Sequence, residues 1–384
     1  MGIRKAGMSR GRLTMIAAVV IVPFGALGIR NRMLYRVPIH EDSIAGLRPR
    51  LEVDGEEALE AQFEIERRVG AKSLQIWKDV LASQGPNARY LAADSVAKTR
   101  LPEGGPILAG LLTDYASRVR TCAVESLGAV KYKESIPTLV AALADDDTWV
   151  RESAVSQLAI RRDPKTVPAL MRALHDSDRA TASQATGALS RITGKPYRAS
   201  FTSTPKDFAK AVGKWEKWWS GARANWPTDA ALSSVRPISP SRIGPKAREI
   251  TCRVGASLNS DFRLSEKRGR LVFLNFFGAD CGPCIFESAD IQKLYEEFTP
   301  QGLEVLGLEI SADKPDALVK FADLMKVNYP MALGSADIIH DYGHIHDVPV
   351  TFLLDRHGRI RYQWSGQRDY ETFSAAVRRL LAER

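Results

Sequence analysis

Cysteine and histidine are scarce in this sequence, which has four cysteines and six histidines among 384 residues. So few cysteines exclude a small fold held together by several disulfides. A structural zinc site needs about four ligands, and no second Cys-x-x-Cys or Cys/His pair has finger spacing. We therefore expect no metal site. The length of the chain is sufficient for two ordinary domains, each with its own core.

Beyond residue 36 the sequence also lacks an excess of charge of either sign. The net charge of +9 arises mainly in residues 1–36, which contain seven Lys or Arg and no Asp or Glu. The remaining residues contain 47 basic and 45 acidic side chains. The basic character is confined to the N-terminus and indicates no phosphate-binding surface elsewhere, so we expect no nucleic-acid partner.

Long hydrophobic runs are absent apart from one near the N-terminus. Residues 13–29, LTMIAAVVIVPFGALGI, carry no charge and have basic residues on both sides. Seventeen residues form about 26 Å of helix, the short end of what spans a bilayer. No small-x-small cleavage site follows, so we favour an uncleaved signal anchor over residues 1–36 to a cleaved signal peptide. Either would place the rest of the chain outside the cytoplasm; the anchor predicts a single-pass membrane protein facing the periplasm.

The middle of the chain repeats with a period of 31 residues. Matching residues recur at this spacing, namely Arg89, Arg120 and Arg151, then Asp114, Asp145 and Asp176, then Pro106, Pro137 and Pro168. Each unit holds two amphipathic helical segments, such as VRESAVSQLAI and KTVPALMRALHD, joined by Asp-rich turns that can cap the next helix. Such a pair cannot bury its apolar face alone, so successive pairs are predicted to stack into a solenoid.

Residues 75–200 resemble the short HEAT-like repeats of phycobilisome-lyase-type domains, which implies an all-α solenoid that binds a protein partner or acts as a spacer. Trp215, Trp218 and Trp219 follow at i, i+3 and i+4. We favour a cap on the end of the solenoid over an aromatic binding box, which extends this domain to residues 75–225. Residues 227–249 are rich in Pro, Ser and Ala and are predicted to be a semi-extended interdomain linker.

From residue 250 to 384, apolar strands alternate with helical segments. The run RLVFLNFFG is typical of a strand buried on both faces, and the helix CIFESADIQKLYEEF comes soon after it. Between them lies CGPC, with Cys281 and Cys284 two residues apart. A second strand, a second helix, the hairpin of VPVTFLLD and GRIRYQWSG and a final helix complete the order of elements in an α/β thioredoxin fold.

This domain resembles the TlpA/ResA group of membrane-tethered, thioredoxin-like disulfide oxidoreductases. The resemblance rests on Cys281 and Cys284, on Asn275 six residues before the first cysteine, on Glu287 three residues after the second, and on Pro349 in DVPVTFLLDRHGRI. It implies that Glu287 is the active-site glutamate and that Pro349 is a cis-proline facing the cysteines. A cysteine at a helix start is favoured as a thiolate by the unpaired helix N–H groups, so Cys281 is predicted to attack and Cys284 to resolve the mixed disulfide.

We therefore predict a thiol–disulfide oxidoreductase that acts on protein disulfides or dithiols and needs no cofactor. One alternative is a protein-interaction scaffold whose thioredoxin-like fold only binds. Another is a copper-binding or copper-delivery protein of the Sco type, because His340, His344 and His346 precede Pro349, although Sco proteins have three residues between their cysteines. Peroxidase chemistry is disfavoured because Gly278 stands where peroxiredoxins have Thr or Ser. The other two cysteines, Cys122 and Cys252, are expected to be small buried apolar residues, and the alternative for Cys252 is a disulfide to another cysteine.

One residue departs from the family pattern, since Asp280 stands before Cys281 where the group usually has Trp. A carboxylate beside a thiolate disfavours the anion by like-charge repulsion. We expect Asp280→Trp to lower the pKa of Cys281, measured as the pH dependence of iodoacetamide alkylation of the reduced protein. An unchanged profile would contradict this.

Overall fold

The computed structural model describes residues 44–383, apart from short gaps at 53–54, 70–73, 84, 131, 133, 237, 239, 256–259, 312–314 and 344. The signal anchor predicted at residues 1–36 lies outside this part of the chain. Among the residues that the structure describes, no helix combines the length and apolar character needed to cross a membrane.

The first part of the described chain is helical. Its α-helices are α1 (Ile44–Leu47), α2 (Glu56–Val69), α3 (Leu74–Leu81), α4 (Pro86–Thr99), α5 (Gly104–Gly110), α6 (Ser117–Leu127), α7 (Ser135–Ala142), α8 (Thr148–Arg161), α9 (Val167–Ala173), α10 (Arg179–Thr193), α11 (Pro205–Ala222) and α12 (Ala230–Ser233). The repeating prolines Pro106, Pro137 and Pro168 lie in the first turn of α5, α7 and α9, where a missing N–H breaks no helical hydrogen bond. Helices α4, α6, α8 and α10 pack in succession, which confirms the predicted helical repeats.

Arginine–aspartate pairs connect successive repeats. In each pair the guanidinium Nε and Nη2 donate to the two carboxylate oxygens, with N···O distances of 2.7 to 2.9 Å; the pairs are Arg89–Asp114, Arg120–Asp145 and Arg151–Asp176. The first two pairs are almost fully buried. The residues that recur every 31 positions are therefore partners of one another, and each pair fixes the register between one repeat and the next.

We expect loss of one partner in such a pair to be costly, because it leaves a buried charge uncompensated. Asp145→Ala should lower the free energy of unfolding in urea by about 3–5 kcal/mol. The matched control is Asp79→Ala, which removes the exposed partner of Arg48 and should cost less than about 1 kcal/mol. Equal small losses in the two variants would contradict a structural role for the buried pairs.

The tryptophans of α11 pack at the end of the repeats. Trp215 is fully buried and its indole N–H donates to the carbonyl of Tyr197 at 2.7 Å. Trp218 and Trp219 are partly buried and contact the ring of Trp226, whose indole N–H donates to a carbonyl just before α9. Because the rings pack on one another and on the last repeat, this arrangement favours the cap interpretation over a binding box.

The second part of the described chain is an α/β fold. Its elements are β1 (Thr251–Val254), β2 (Ser260–Arg263), β3 (Leu271–Phe277), α13 (Gly282–Phe298), β4 (Leu303–Glu309), α14 (Asp316–Met325), β5 (Met331–Leu333), α15 (Ala336–Asp341), β6 (Val350–Leu354), β7 (Ile360–Ser365) and α16 (Tyr370–Ala382). The central sheet has the order β5-β4-β3-β6-β7, with β4 parallel to β3 and β5, and β6 antiparallel to β3 and β7. The predicted order, helical repeats followed by a thioredoxin-like fold, is confirmed.

The two faces of this sheet are covered by different parts of the chain. Side chains of one face, including Leu271, Phe273 and Phe277 of β3, pack with residues of α13, α14 and α16. Side chains of the other face, including Leu274 and Phe276, belong to the same continuous hydrophobic cluster as the helical repeats. The repeats and the sheet therefore share a core.

The segment predicted as a linker runs along the junction between these parts. Backbone N–H groups of Ser241 and Arg242 donate to the carbonyl of Thr113, and those of Gly244 and Ala247 donate to carbonyls of β7 and its preceding turn. The edge of β7 is also met by the repeats, because the N–H of Gln363 donates to the carbonyl of Tyr115 at 3.0 Å. The hydrogen bond from Gly244 to β7 and the one from Gln363 to Tyr115 use backbone groups of β7 that this edge strand would otherwise expose.

Candidate active site

The two cysteines of CGPC lie at the start of α13, shortly after the end of β3. They form a disulfide, with a Cα–Cα distance of 5.2 Å. Cys281 is the N-cap residue of α13, and its Sγ lies 3.3 Å from the backbone nitrogen of Cys284. Cys281 is partly exposed, whereas Cys284 is buried. A nucleophile from solvent can therefore reach the first sulfur, while the second is shielded, as attack and resolution require.

Pro349, to which the family resemblance points, lies beside this pair. The Val348–Pro349 peptide bond is cis, and the carbonyl oxygen of Val348 is 3.6 Å from Cys281 Sγ. The carbonyl oxygen of Pro349 accepts a hydrogen bond from the N–H of Gly366 at 2.8 Å. The proline loop is thus held between the reactive sulfur and the loop that follows β7.

Glu287 is buried one turn after Cys284, on the inner side of α13. Its Oε1 accepts the backbone N–H of Arg368 at 3.0 Å, and its Oε2 accepts the Nδ2–H of Asn275 at 3.1 Å. The other Nδ2–H of Asn275 donates to Thr351 on β6. Burial raises the pKa of Glu287 to about 8, although both hydrogen bonds favour the ionised form. A carboxyl group with such a pKa gains and loses a proton near neutral pH, as a general acid or base requires.

Asp280, the residue that departs from the family pattern, is exposed immediately before Cys281. One of its carboxylate oxygens lies 3.3 Å from the hydroxyl of Ser311, which follows β4. The carboxylate therefore stays in solvent at the rim of the site, next to the sulfur that we expect to attack.

Of the three histidines of the copper alternative, the structure describes His340 and His346. His340 is exposed, with Nδ1 3.5 Å from a carboxylate oxygen of Asp341, and His346 is exposed as well. His344 lies outside the described residues. Within the described ranges, no group of three or more His, Cys, Asp or Glu side chains is arranged to hold a metal ion.

The remaining cysteines are unpaired thiols away from this site. Cys122 is buried in α6, and burial raises its pKa to about 12. Cys252 is partly buried in β1, and burial raises its pKa to about 11. Both thiols stay protonated at neutral pH, so neither is a ready nucleophile.

Sequence reasoning missed two groups that hold Glu287 in place. Thr351 orients Asn275, and its place on the strand that follows Pro349 is the only sequence signal that points to it. Arg368 contributes a backbone N–H, which any residue other than proline supplies, so no pattern of side chains identifies it.

Comparisons with known proteins agree with this two-part organisation. A model of the AhpC/TSA family matches residues 243–363, and a model of HEAT repeats matches residues 74–159 and 136–201. The thiol-disulfide oxidoreductase ResA of Geobacillus kaustophilus (strain HTA426) is 33% identical over 101 residues, which cover 26% of this chain and 58% of that protein. The ResA protein of Bacillus thuringiensis subsp. konkukian (strain 97-27) is 31% identical over 119 residues, which cover 30% of this chain and 67% of that protein.

Solved structures also match. A putative thiol:disulfide interchange protein DsbE from Chlorobium tepidum is 22% identical with a TM-score of 0.34, and the match covers 37% of this chain and 99% of that one.

The raised pKa of Glu287 makes a testable contribution to stability. Between its ordinary value of 4.5 and about 8, this group is ionised in the unfolded chain but protonated in the folded one. Folding then retains a proton, so the free energy of unfolding should fall as the pH rises through this range, by about 1.4 kcal/mol per pH unit. Urea denaturation of the oxidised protein should show this fall relative to Glu287→Gln. Parallel pH curves for the two proteins would rule out the raised pKa.

Proposed function

Because the chain belongs to the ResA family of thiol-disulfide oxidoreductases, we propose that it catalyses thiol–disulfide exchange on protein substrates through Cys281 and Cys284. The observation that carries the proposal is the geometry of one site. A Cys-x-x-Cys disulfide at a helix start lies beside a cis-proline, with the buried carboxyl of Glu287 one turn behind it.

In the reduced protein, the thiolate of Cys281 attacks one sulfur of a substrate disulfide. A mixed disulfide forms, and the second substrate sulfur leaves as a thiolate that takes up a proton. The thiolate of Cys284 then attacks Cys281 Sγ, which releases the first substrate sulfur and forms the Cys281–Cys284 disulfide. Two electrons pass to the substrate, and a dithiol donor must return them. The same steps in reverse oxidise a substrate dithiol.

The surroundings supply what each step needs. The N–H of Cys284 and the start of α13 stabilise the negative charge on Cys281. The carboxylate form of Glu287 takes the proton of the Cys284 thiol before resolution, and the acid form returns it in the reverse direction. The carbonyl of Val348, beside Pro349 and 3.6 Å from Cys281 Sγ, would accept a hydrogen bond from an extended substrate segment.

We further propose that the protein works outside the cytoplasm, on the periplasmic side of a membrane in which residues 13–29 anchor it. The uncharged run between basic flanks supports this proposal. The helical repeats would then offer a surface to a protein partner and hold the redox site near it. No cofactor takes part in this mechanism.

The test is catalysis together with capture of an intermediate. The wild-type protein should accelerate reduction of insulin by dithiothreitol, and Cys281→Ala should abolish the acceleration. Cys284→Ala should accumulate a mixed disulfide between Cys281 and a substrate protein, because the resolving thiol is missing. The thiol-specific control is Cys122→Ala, which removes a buried cysteine and should retain activity. If the wild-type protein were inactive and Cys284→Ala captured no partner, the proposed exchange reaction would be contradicted. The thioredoxin-like fold would then serve only as a protein-binding module.

A further inference from the structure

The loop between β7 and α16, residues 366–369, donates hydrogen bonds to two residues of the candidate active site. The N–H of Gly366 donates to the carbonyl of Pro349 at 2.8 Å, and the N–H of Arg368 donates to Oε1 of Glu287 at 3.0 Å. Two amides of one short loop therefore hold the cis-proline and the buried carboxyl. The position of this loop decides whether both hydrogen bonds form.

The side chain of Arg368 points away from the site and into the helical repeats. It is buried, and its Nε donates to Oδ2 of Asp147 at 2.6 Å. Its guanidinium lies over the ring of Trp149, 3.9 Å from the ring centre, and its Nη2 lies 3.3 Å from the hydroxyl of Ser117. Its Nη1 donates to the three carbonyls of residues 365–367. Arg368 thus ties its own loop to the turn before α8.

The first turn of α8 also touches the loop directly. Gly366 has a φ of +83°, and a Cβ at this position would lie only 2.6 Å from the Trp149 ring. The positive φ favours glycine here, and the ring of Trp149 lies close against the loop. The loop is therefore held by an ion pair on one side and by packing on the other.

Asp147 is suited to anchor the loop because its two carboxylate oxygens have separate roles. Oδ1 caps α8 by accepting the N–H groups of Trp149 and Val150, at 2.9 and 3.2 Å, while Oδ2 accepts from Arg368. Burial opposes ionisation, but the guanidinium groups of Arg368 and Arg120 hold the pKa of Asp147 below its usual value. The anchor therefore keeps its charge throughout the neutral pH range.

We propose that Asp147 of the helical repeats is a positioning residue of the redox site, because through Arg368 it fixes the loop whose amides hold Glu287 and Pro349. This inference rests on the proposed function and extends it, since it makes the repeats a working part of the site. Asp147 touches neither sulfur and acts only through the loop.

The consequence for Glu287 follows from the groups that face it. Burial and the carboxylate of Asp290 disfavour its ionised form, whereas the N–H of Arg368, the guanidinium charge of Arg368 and the amide of Asn275 favour it; Tyr329 is also nearby. A loosened loop removes one hydrogen bond to the carboxylate. The pH at which Glu287 ionises should then rise by about one pH unit, the equivalent of one hydrogen bond to a charged group.

The test follows the oxidation of the reduced full-length protein by glutathione disulfide between pH 5 and 10.5. Asp147→Asn retains the cap, because asparagine is also a good N-cap residue, but removes the charge that pairs with Arg368. The inflection that disappears in Glu287→Gln should move upward by about one pH unit in Asp147→Asn. The rate at pH 7 should fall about tenfold, because the ionised fraction of a group below its pKa falls tenfold for each such unit.

The matched control is Asp146→Asn, one residue away at the same junction. Asp146 accepts from the hydroxyl of Tyr362 and from Arg379 but does not touch the loop, so both rate and inflection should stay at their wild-type values. If Asp147→Asn does not fold, the double variant Asp147→Asn/Arg368→Met leaves no unpaired buried charge and retains the amide of residue 368. It should move the inflection upward by more than Asp147→Asn does, because the charge of Arg368 also favours the ionised form of Glu287.

The outcomes separate this inference from the proposed function. A wild-type protein that reacts no faster than a free thiol overturns the proposed function. A fast wild type with an unmoved inflection in folded Asp147→Asn, or in the folded double variant, overturns the positioning role. An equal displacement in Asp146→Asn also overturns it, because any weakening of the junction would then have the same effect.

Discussion

A five-stranded sheet has two apolar faces, and both must be covered before its central strands are stable. In this protein α13, α14 and α16 cover one face, while the other belongs to the hydrophobic cluster of the helical repeats. This shared core is the constraint on which the remaining structure depends. It seats the repeats against β7, places the segment around residues 241–247 between them, and brings the turn before α8 under the loop that follows β7.

The geometry of the redox site follows from that arrangement. Its outer half is local, because the start of α13 places Cys281 in partial exposure with Cys284 behind it. Its inner half is not local, since Glu287 is held by β3 through Asn275 and by the loop after β7 through Arg368. The charged anchor of this loop comes from the repeats. Hydrogen bonds therefore connect the helical repeats with the redox site, from Asp147 through Arg368 to Glu287.

Several features of the fold and the site were predictable because they depend on patterns of residues close together in the sequence. The 31-residue period placed the arginines and aspartates of the repeats in register, and CGPC after an apolar strand indicated the helix start at which the cysteines lie. The pairing of each arginine with an aspartate 25 residues later was not predictable. A repeat period shows which residues occupy equivalent positions, but it does not show which residues touch one another. The contact between Asp147 and Arg368 spans 221 residues and depends on docking, which leaves no periodic signal. The composition of residues 227–249 indicated an extended segment but not its hydrogen bonds to both sides.

The claim that the repeats and the sheet form one cooperative unit is tested most directly by native-state hydrogen exchange in low concentrations of urea. Amides of β6 and β7 and amides of α6 and α8 should open with the same free energy and the same dependence on urea, because neither layer keeps its core without the other. If the amides of α6 and α8 exchanged through a separate opening of lower free energy while those of the sheet stayed protected, the two parts would be independent and the shared core would have no energetic role.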